Sequence, residues 1–421
     1  MKKNYYYLAV ALATGLLASC NNEIAEDLIP NTNTEVSTII ATRSFPEDDG
    51  AKKLTGQPAQ KFWSLLQGAD TTMATTFALY SMSPGQLEEI KEFTDELVAN
   101  RTTEVQKYRA IYNWVTANVK YADGQSNEPY DVFINKKCVC QGYANLLNVM
   151  LRTQGIHVVN VNGWLNYNGF YGHAWNYVKT GNKWWMSDPT NKIEKTASEL
   201  SQYQDMFLPL SADGNIIEND LYAFNYEGEK LNLNTVKSAD NAFVVPFSVT
   251  LNNGEKYQIS AFSPTQPLPE NITEVYIGKN IESLGHDNLY GLREYGPNVE
   301  AAFVDPKNIY LESHCGIVYQ TESFEPMYIP TGMKRVELKP CEIINKNFVY
   351  NHANVEELYI ADGTKLVENW AVENCPNLKV AYLPMDAEYN DDPSTGSFVG
   401  VHPDFKVIRR DPTGIKDVIV D

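Results

Sequence analysis

Basic residues are scarce in this 421-residue chain: 34 Lys and Arg stand against 53 Asp and Glu, a formal net charge of −19. Such an acidic surface repels phosphate backbones and excludes nucleic acid as a partner class. Long apolar runs are lacking near the N-terminus as well. The stretch from Leu8 to Leu17 holds only about ten apolar residues, half of what a membrane-spanning helix needs. Cysteines number six, and their spacings match neither a disulfide framework nor a zinc knuckle. Mostly free thiols are therefore expected, with no metal and no cofactor.

What is present begins with an export signal. Lys2 and Lys3 precede the apolar run, and Leu17-Ala18-Ser19-Cys20 closes it. That ending resembles a bacterial lipoprotein signal, which implies cleavage before Cys20, lipidation of its thiol and anchorage at the outer membrane, on its periplasmic face or at the cell surface. Residues 20–55 mix Asn, Thr, Asp and Glu with few large apolar side chains and read as a flexible tether.

Three short phrases then carry chemistry: CQGYA at Cys140, GHAWNYV at His173 and WWMSDPT at Asp188. A thiol nucleophile needs an imidazole, and the imidazole needs a carboxylate to hold its tautomer. Tyr143, Ala144, Leu146, Leu147, Val149, Met150 and Leu151 predict a central buried helix starting at Cys140 and stopping at Gly155. A cysteine at a helix start faces unpaired N–H groups that favour thiolate. Upstream, Ser83-Pro84 and Thr103 predict the starts of two further helices.

His173 and Asp188 fall on two strands joined through a Gly-containing turn. A turn at Thr180-Gly181 sets them directly opposite, whereas one at Gly181-Asn182 sets them diagonally on the same face. The cysteine helix is expected to pack against that face.

The run from Tyr112 to Asn191 resembles the bacterial transglutaminase-like superfamily, a branch of the papain-like cysteine fold. By match to its phrases, the resemblance implies Cys140 as nucleophile, His173 as general base and acid, and Asp188 as orienting carboxylate. Members usually carry Gly two residues before the nucleophile, where this chain has Cys138. Cys138 is read as a spectator, with a resolving thiol as the alternative. The oxyanion would be held by the Cys140 N–H and a side-chain donor, for which Tyr121 is the candidate.

The C-terminal half repeats itself. The heptapeptides Asn298–Val304, Asn354–Ile360 and Asn377–Leu383 are copies of one phrase, and the last two lie 23 residues apart. An Asn followed by a short apolar strand at such a period marks a leucine-rich solenoid, and the wording resembles the BspA-type repeats of bacterial surface proteins. Between the halves, Val244–Val249 and Tyr257–Phe262 read as a β-hairpin. His352 and Cys375 occupy one repeat position and are assigned packing.

The fold expected is α+β: a papain/transglutaminase-like catalytic domain, a β-containing connector and a short leucine-rich-repeat solenoid. Its boundaries are a signal peptide at 1–19, the tether at 20–55, the catalytic domain at 56–240, and connector plus repeats at 241–421. The function expected is a lipid-anchored cysteine hydrolase acting on peptide or side-chain amide bonds through a thioester. The alternatives are a protein-glutamine acyltransferase and a surface adhesin with a relict catalytic domain. Expected partners are a protein or peptide substrate, the membrane through Cys20, and a protein ligand on the repeats.

Overall fold

The computed structural model describes residues 43–68, 80–196, 199–200, 203, 205–284, 295–410 and 418–420. The signal segment, Cys20 and the tether as far as residue 42 lie outside the described residues.

Among the described residues five helices come first: α1 (Pro58–Gly68), α2 (Pro84–Val98), α3 (Glu104–Asn118), α4 (Pro129–Asn135) and α5 (Cys140–Thr153). Two begin where the sequence places caps. The Ser83 hydroxyl accepts from the Gln86 N–H at the start of α2 while the Gln86 side chain accepts from the Ser83 N–H, and Thr103 and Gln106 repeat the device at α3. By contrast α5 has no side-chain cap. Its chain arrives extended at Val139 and turns helical at Cys140, so the first-turn N–H groups stay available for another acceptor. Gly155, at φ +69°, lies just past its end.

The strands are β1 (Lys120–Tyr121), β2 (Lys137–Cys138), β3 (His157–Asn166), β4 (Phe170–Thr180), β5 (Lys183–Asp188), β6 (Ile193–Thr196), β7 (Phe207–Ala212), β8 (Ile217–Glu218), β9 (Tyr222–Glu227) and β10 (Lys230–Val236). β1 and β2 pair in parallel beside α5. A nine-stranded sheet runs Ala261–Phe262, β10, β9, β7, β3, β4, β5, β6, with β8 added to β9. Its two faces bury different partners. Val158 and Val178 face α2, α3 and α5, whereas Val159, Val161, Trp175, Tyr177, Trp184 and Met186 face a second core.

That second core runs from Leu54 through Phe62 of α1, the sheet, and Phe243 and Phe262, to Tyr328. The division expected at residue 240 passes through it, and β10 pairs with Ala261–Phe262 across the same point. The end of the expected tether is docked as well: Lys52 bridges to Tyr257, and Asp49 accepts from Ser248. The connector hairpin is shorter than expected, pairing Ser248–Thr250 with Lys256–Gln258, because Ala242–Val244 joins Glu274–Ile277 in a parallel sheet instead.

From Arg335 onward the chain is a β-solenoid. Three short strands make each turn, and successive turns stack in parallel: Val349 pairs with Val372 and Ile343 with Leu366, each 23 residues on. No helix interrupts residues 335–410, so the repeat unit is strand-only. The recurring Asn has a physical role. Asn298, Asn354 and Asn377 each donate Nδ2 to a carbonyl 28, 23 and 24 residues earlier, at Glu270, Thr331 and Ala353. Such a side-chain amide replaces backbone pairing where the chain bends between strands. His352 and Cys375 are fully buried in the stack.

Candidate active site

The three phrases meet at one end of β4. Pairing of Thr180 with Lys183 fixes the turn at Gly181-Asn182, so Asn176 opposes Ser187 and Asp188 lies diagonal to His173 on the same face. Pro189 follows Asp188 and has no N–H to continue the ladder. The body of α5 does not pack on this face. It packs on the opposite one, where the Asn176 side chain donates to the Ala144 carbonyl and Val178 joins the helical core. The start of α5 instead reaches β4 two residues beyond its last pair with β5, and there the Ala174 N–H bonds to the Cys140 sulfur.

His173 Nε2 lies 2.9 Å from Asp188 Oδ2, and the ring also hydrogen-bonds Cys140. With Nε2 occupied by the carboxylate, Nδ1 is the nitrogen that serves the sulfur. Asp188 is fully buried, and its Oδ1 accepts from the Thr190 and Asn191 N–H groups at 3.0 and 3.2 Å. Its Oδ2 also accepts from Asn191 Nδ2 at 2.8 Å. The Asp-Pro-Thr-Asn phrase thus folds into a turn around its own carboxylate. Trp175 stacks on the imidazole, with centroids 6.0 Å apart, and Phe207 lies against it at 6.2 Å.

Electrostatics follow from these contacts. Burial by itself would raise the Cys140 thiol, but His173 and the Ala174 and Gln141 N–H groups overcome it and hold the thiol below its ordinary range. Burial likewise opposes charge on His173. Hydrogen bonds to Asp188 and Cys140 prevail and push the imidazole up to about 9. Both shifts favour a thiolate beside an imidazolium. Cys138 behaves oppositely: burial, then the neighbouring Cys140, pushes its thiol up to about 12. Its side chain fills the space above Gly142, where an added Cβ would come within 2.4 Å of Cys138 Cβ.

Tyr121 is exposed on β1, opposite Cys138, and close enough to Cys140 that burial and then the sulfur's charge raise its phenol. A phenol so shifted stays a proton donor. Asn191 and the Ala174 and Gln141 N–H groups were not singled out by sequence. Asn191 had a signal in the turn-forming phrase after Asp188, whereas backbone donors have none. The aromatic residues of this region divide: Trp175 and Trp184 are buried, while Trp164, Tyr167, Phe170 and Tyr171 stand exposed around the β3–β4 tip.

Comparison with known proteins covers the same segment. Residues 91–189 match the model of the transglutaminase-like superfamily, so the chain carries a transglutaminase-like domain. Kyphoscoliosis peptidase of Mus musculus is 26% identical over 149 residues, which are 31% of this chain and 22% of that protein. The chain thus spans about a fifth of that curated relative's length. Among solved structures, the periplasmic domain of TgpA from Pseudomonas aeruginosa matches at 20% identity over 30% of this chain and 53% of that one, with a TM-score of 0.22. A leucine-rich repeat protein from Eubacterium ventriosum matches at 12% identity over 28% of this chain and 31% of that one, with a TM-score of 0.21.

Proposed function

We propose that this chain is a cysteine hydrolase that cleaves peptide or side-chain amide bonds through Cys140, His173 and Asp188. The observation that carries the reading is the contact of a helix-start thiol with an imidazole whose other nitrogen is held by a buried carboxylate. The Cys140 thiolate attacks the carboxamide carbon. The C–N bond breaks as His173 Nδ1 passes its proton to the leaving amine, which leaves a thioester on Cys140. His173 then takes a proton from water, the resulting hydroxide attacks the thioester carbon, and free acid departs with the thiolate restored. Asp188 keeps the ring oriented throughout. The Cys140 N–H and the Tyr121 hydroxyl are the donors we assign to the tetrahedral oxyanion.

Release to water is favoured over transfer to an amine because water far outnumbers any amine, which would need a binding site of its own to compete. The lipoprotein-like ending at Cys20 supports export and anchorage at the outer membrane, and the Asn-headed phrases support a BspA-type repeat array offering a face to a protein ligand. Incubation with a peptide library, with and without millimolar primary amine and read by mass spectrometry, tests the reading. Free acid is expected as the main product. Predominant isopeptide product would make the protein an acyltransferase, and no product at all would favour an adhesin with a relict domain.

A further inference from the structure

A cluster of side chains able to ligate a metal lies far along the chain from the cysteine site. Strands Leu311–His314 and Ile317–Gln320 form a hairpin in which His314 pairs with Ile317, leaving Cys315-Gly316 as a two-residue turn. Both turn residues have positive φ, 46° and 78°. Such turns favour Asn, Asp or Gly at the first position, since a side chain there is strained. A cysteine has taken that place here. Glu337, which closes strand Arg335–Glu337, approaches the same turn, and one ligating atom each from His314, Cys315 and Glu337 lies within 4.8 Å of the other two.

We propose that His314, Cys315 and Glu337 bind a zinc-type divalent cation. A tetrahedral ion with bonds of about 2.0–2.3 Å separates its ligands by roughly 3.3–3.8 Å, so the three donors need to close by about 1.5 Å at most. Thiolate and imidazole select a borderline-soft ion over magnesium or calcium. The thiolate and the carboxylate together balance a double positive charge. Lys339, which shares this neighbourhood, is already engaged by Glu312 and the Ser323 carbonyl. Three protein ligands leave a fourth position to water, and the bound ion ties the hairpin to the first strand of the solenoid. Sequence spacing gives no sign of this, because an adjacent His-Cys pair and a distant Glu make no recognised motif.

Cobalt and zinc titrations of the full chain carrying Cys140→Ala, which removes the reactive thiol as a competing ligand, test the site. One equivalent of cobalt is expected to bind with thiolate-to-metal charge-transfer absorption, and zinc is expected to displace it. Cys315→Asn keeps a residue suited to the left-handed turn and should abolish that absorption. Glu337→Gln and His314→Gln should each weaken zinc binding at least tenfold, and zinc should raise the melting temperature of the parent but not of Cys315→Asn. Absence of the absorption in the parent, or its persistence in Cys315→Asn, overturns the proposal. Should Cys315→Asn fail to fold, unchanged zinc affinity in both Gln variants overturns it equally.

Discussion

At Cys140 and His173 the two shifts run toward each other, the thiol falling below its ordinary value and the imidazole rising to about 9. Both shifts favour a thiolate beside an imidazolium. Iodoacetamide should alkylate Cys140 well below the ordinary thiol value near 8.5, and faster than the buried Cys341 and Cys375. Equal rates measured by mass spectrometry would contradict the pairing. Because the folded value of His173 lies above its usual 6.5, the stability it contributes is complete below about 6.5 and is lost as pH rises through about 9. Turnover should fall over the same alkaline range as the proton donor disappears, and a pH–rate profile checks it. Asn191 touches both Asp188 and the imidazole. Asn191→Ala should lower kcat by about 10- to 100-fold with KM nearly unchanged, whereas Cys140→Ala or His173→Ala should remove nearly all turnover.

Among the elements, the cysteine helix and the hairpin that carries His173 and Asp188 were both legible from sequence, and their mutual packing was not. Caps at Ser83 and Thr103, the apolar circumference after Cys140 and a hairpin turn through Gly181 are local signals that survive folding, while pairing of Thr180 with Lys183 chose between the two turns the sequence allowed. Which face of the sheet receives α5 depends on side chains distant in sequence. Gly163 illustrates this dependence. It pairs with His173 on β3, and an added Cβ would meet the Leu208 carbonyl at 2.1 Å and the Trp175 ring at 2.9 Å. Gly163→Ala should therefore force β7 away from β3 and cost about 1–3 kcal/mol. Thermal melts check the cost, and a parallel loss of turnover shows that the imidazole's seat depends on that approach. An unshifted melting temperature would mean that β7 yields freely.

For the whole molecule, the core that joins α1, the nine-stranded sheet and the connector governs what can be cut away. Phe243, Val249, Ile259 and Phe262 lie beyond residue 240 yet share a cluster with Phe224, Leu231 and Leu233. Exposing several such side chains at about 1.5–3 kcal/mol each exceeds a typical domain's stability. A chain ending at residue 240 should lack a cooperative melting transition, whereas one ending after Tyr328 should retain it. Circular dichroism melts of the two would decide the matter, and cooperative folding of the shorter chain would restore the boundary read from sequence. The solenoid behaves differently, since each turn rests mainly on its neighbours and loss of the last turns should be graded.

By itself the sequence determined the order Cys140, His173, Asp188, the helix start that favours a thiolate, the shared face of imidazole and carboxylate, and the repetition of the C-terminal strands. All of these are properties of short segments, set by periodicity, turn chemistry and spacing. Tertiary structure alone decided that α5 meets His173 past the end of the β4–β5 pairing, that Asn191 and the Ala174 N–H join the candidate site, and that the core ignores residue 240. It also brought His314 and Cys315 to Glu337. Each of these rests on contacts between residues distant in sequence, whose geometry arises only when the chain buries its apolar faces together.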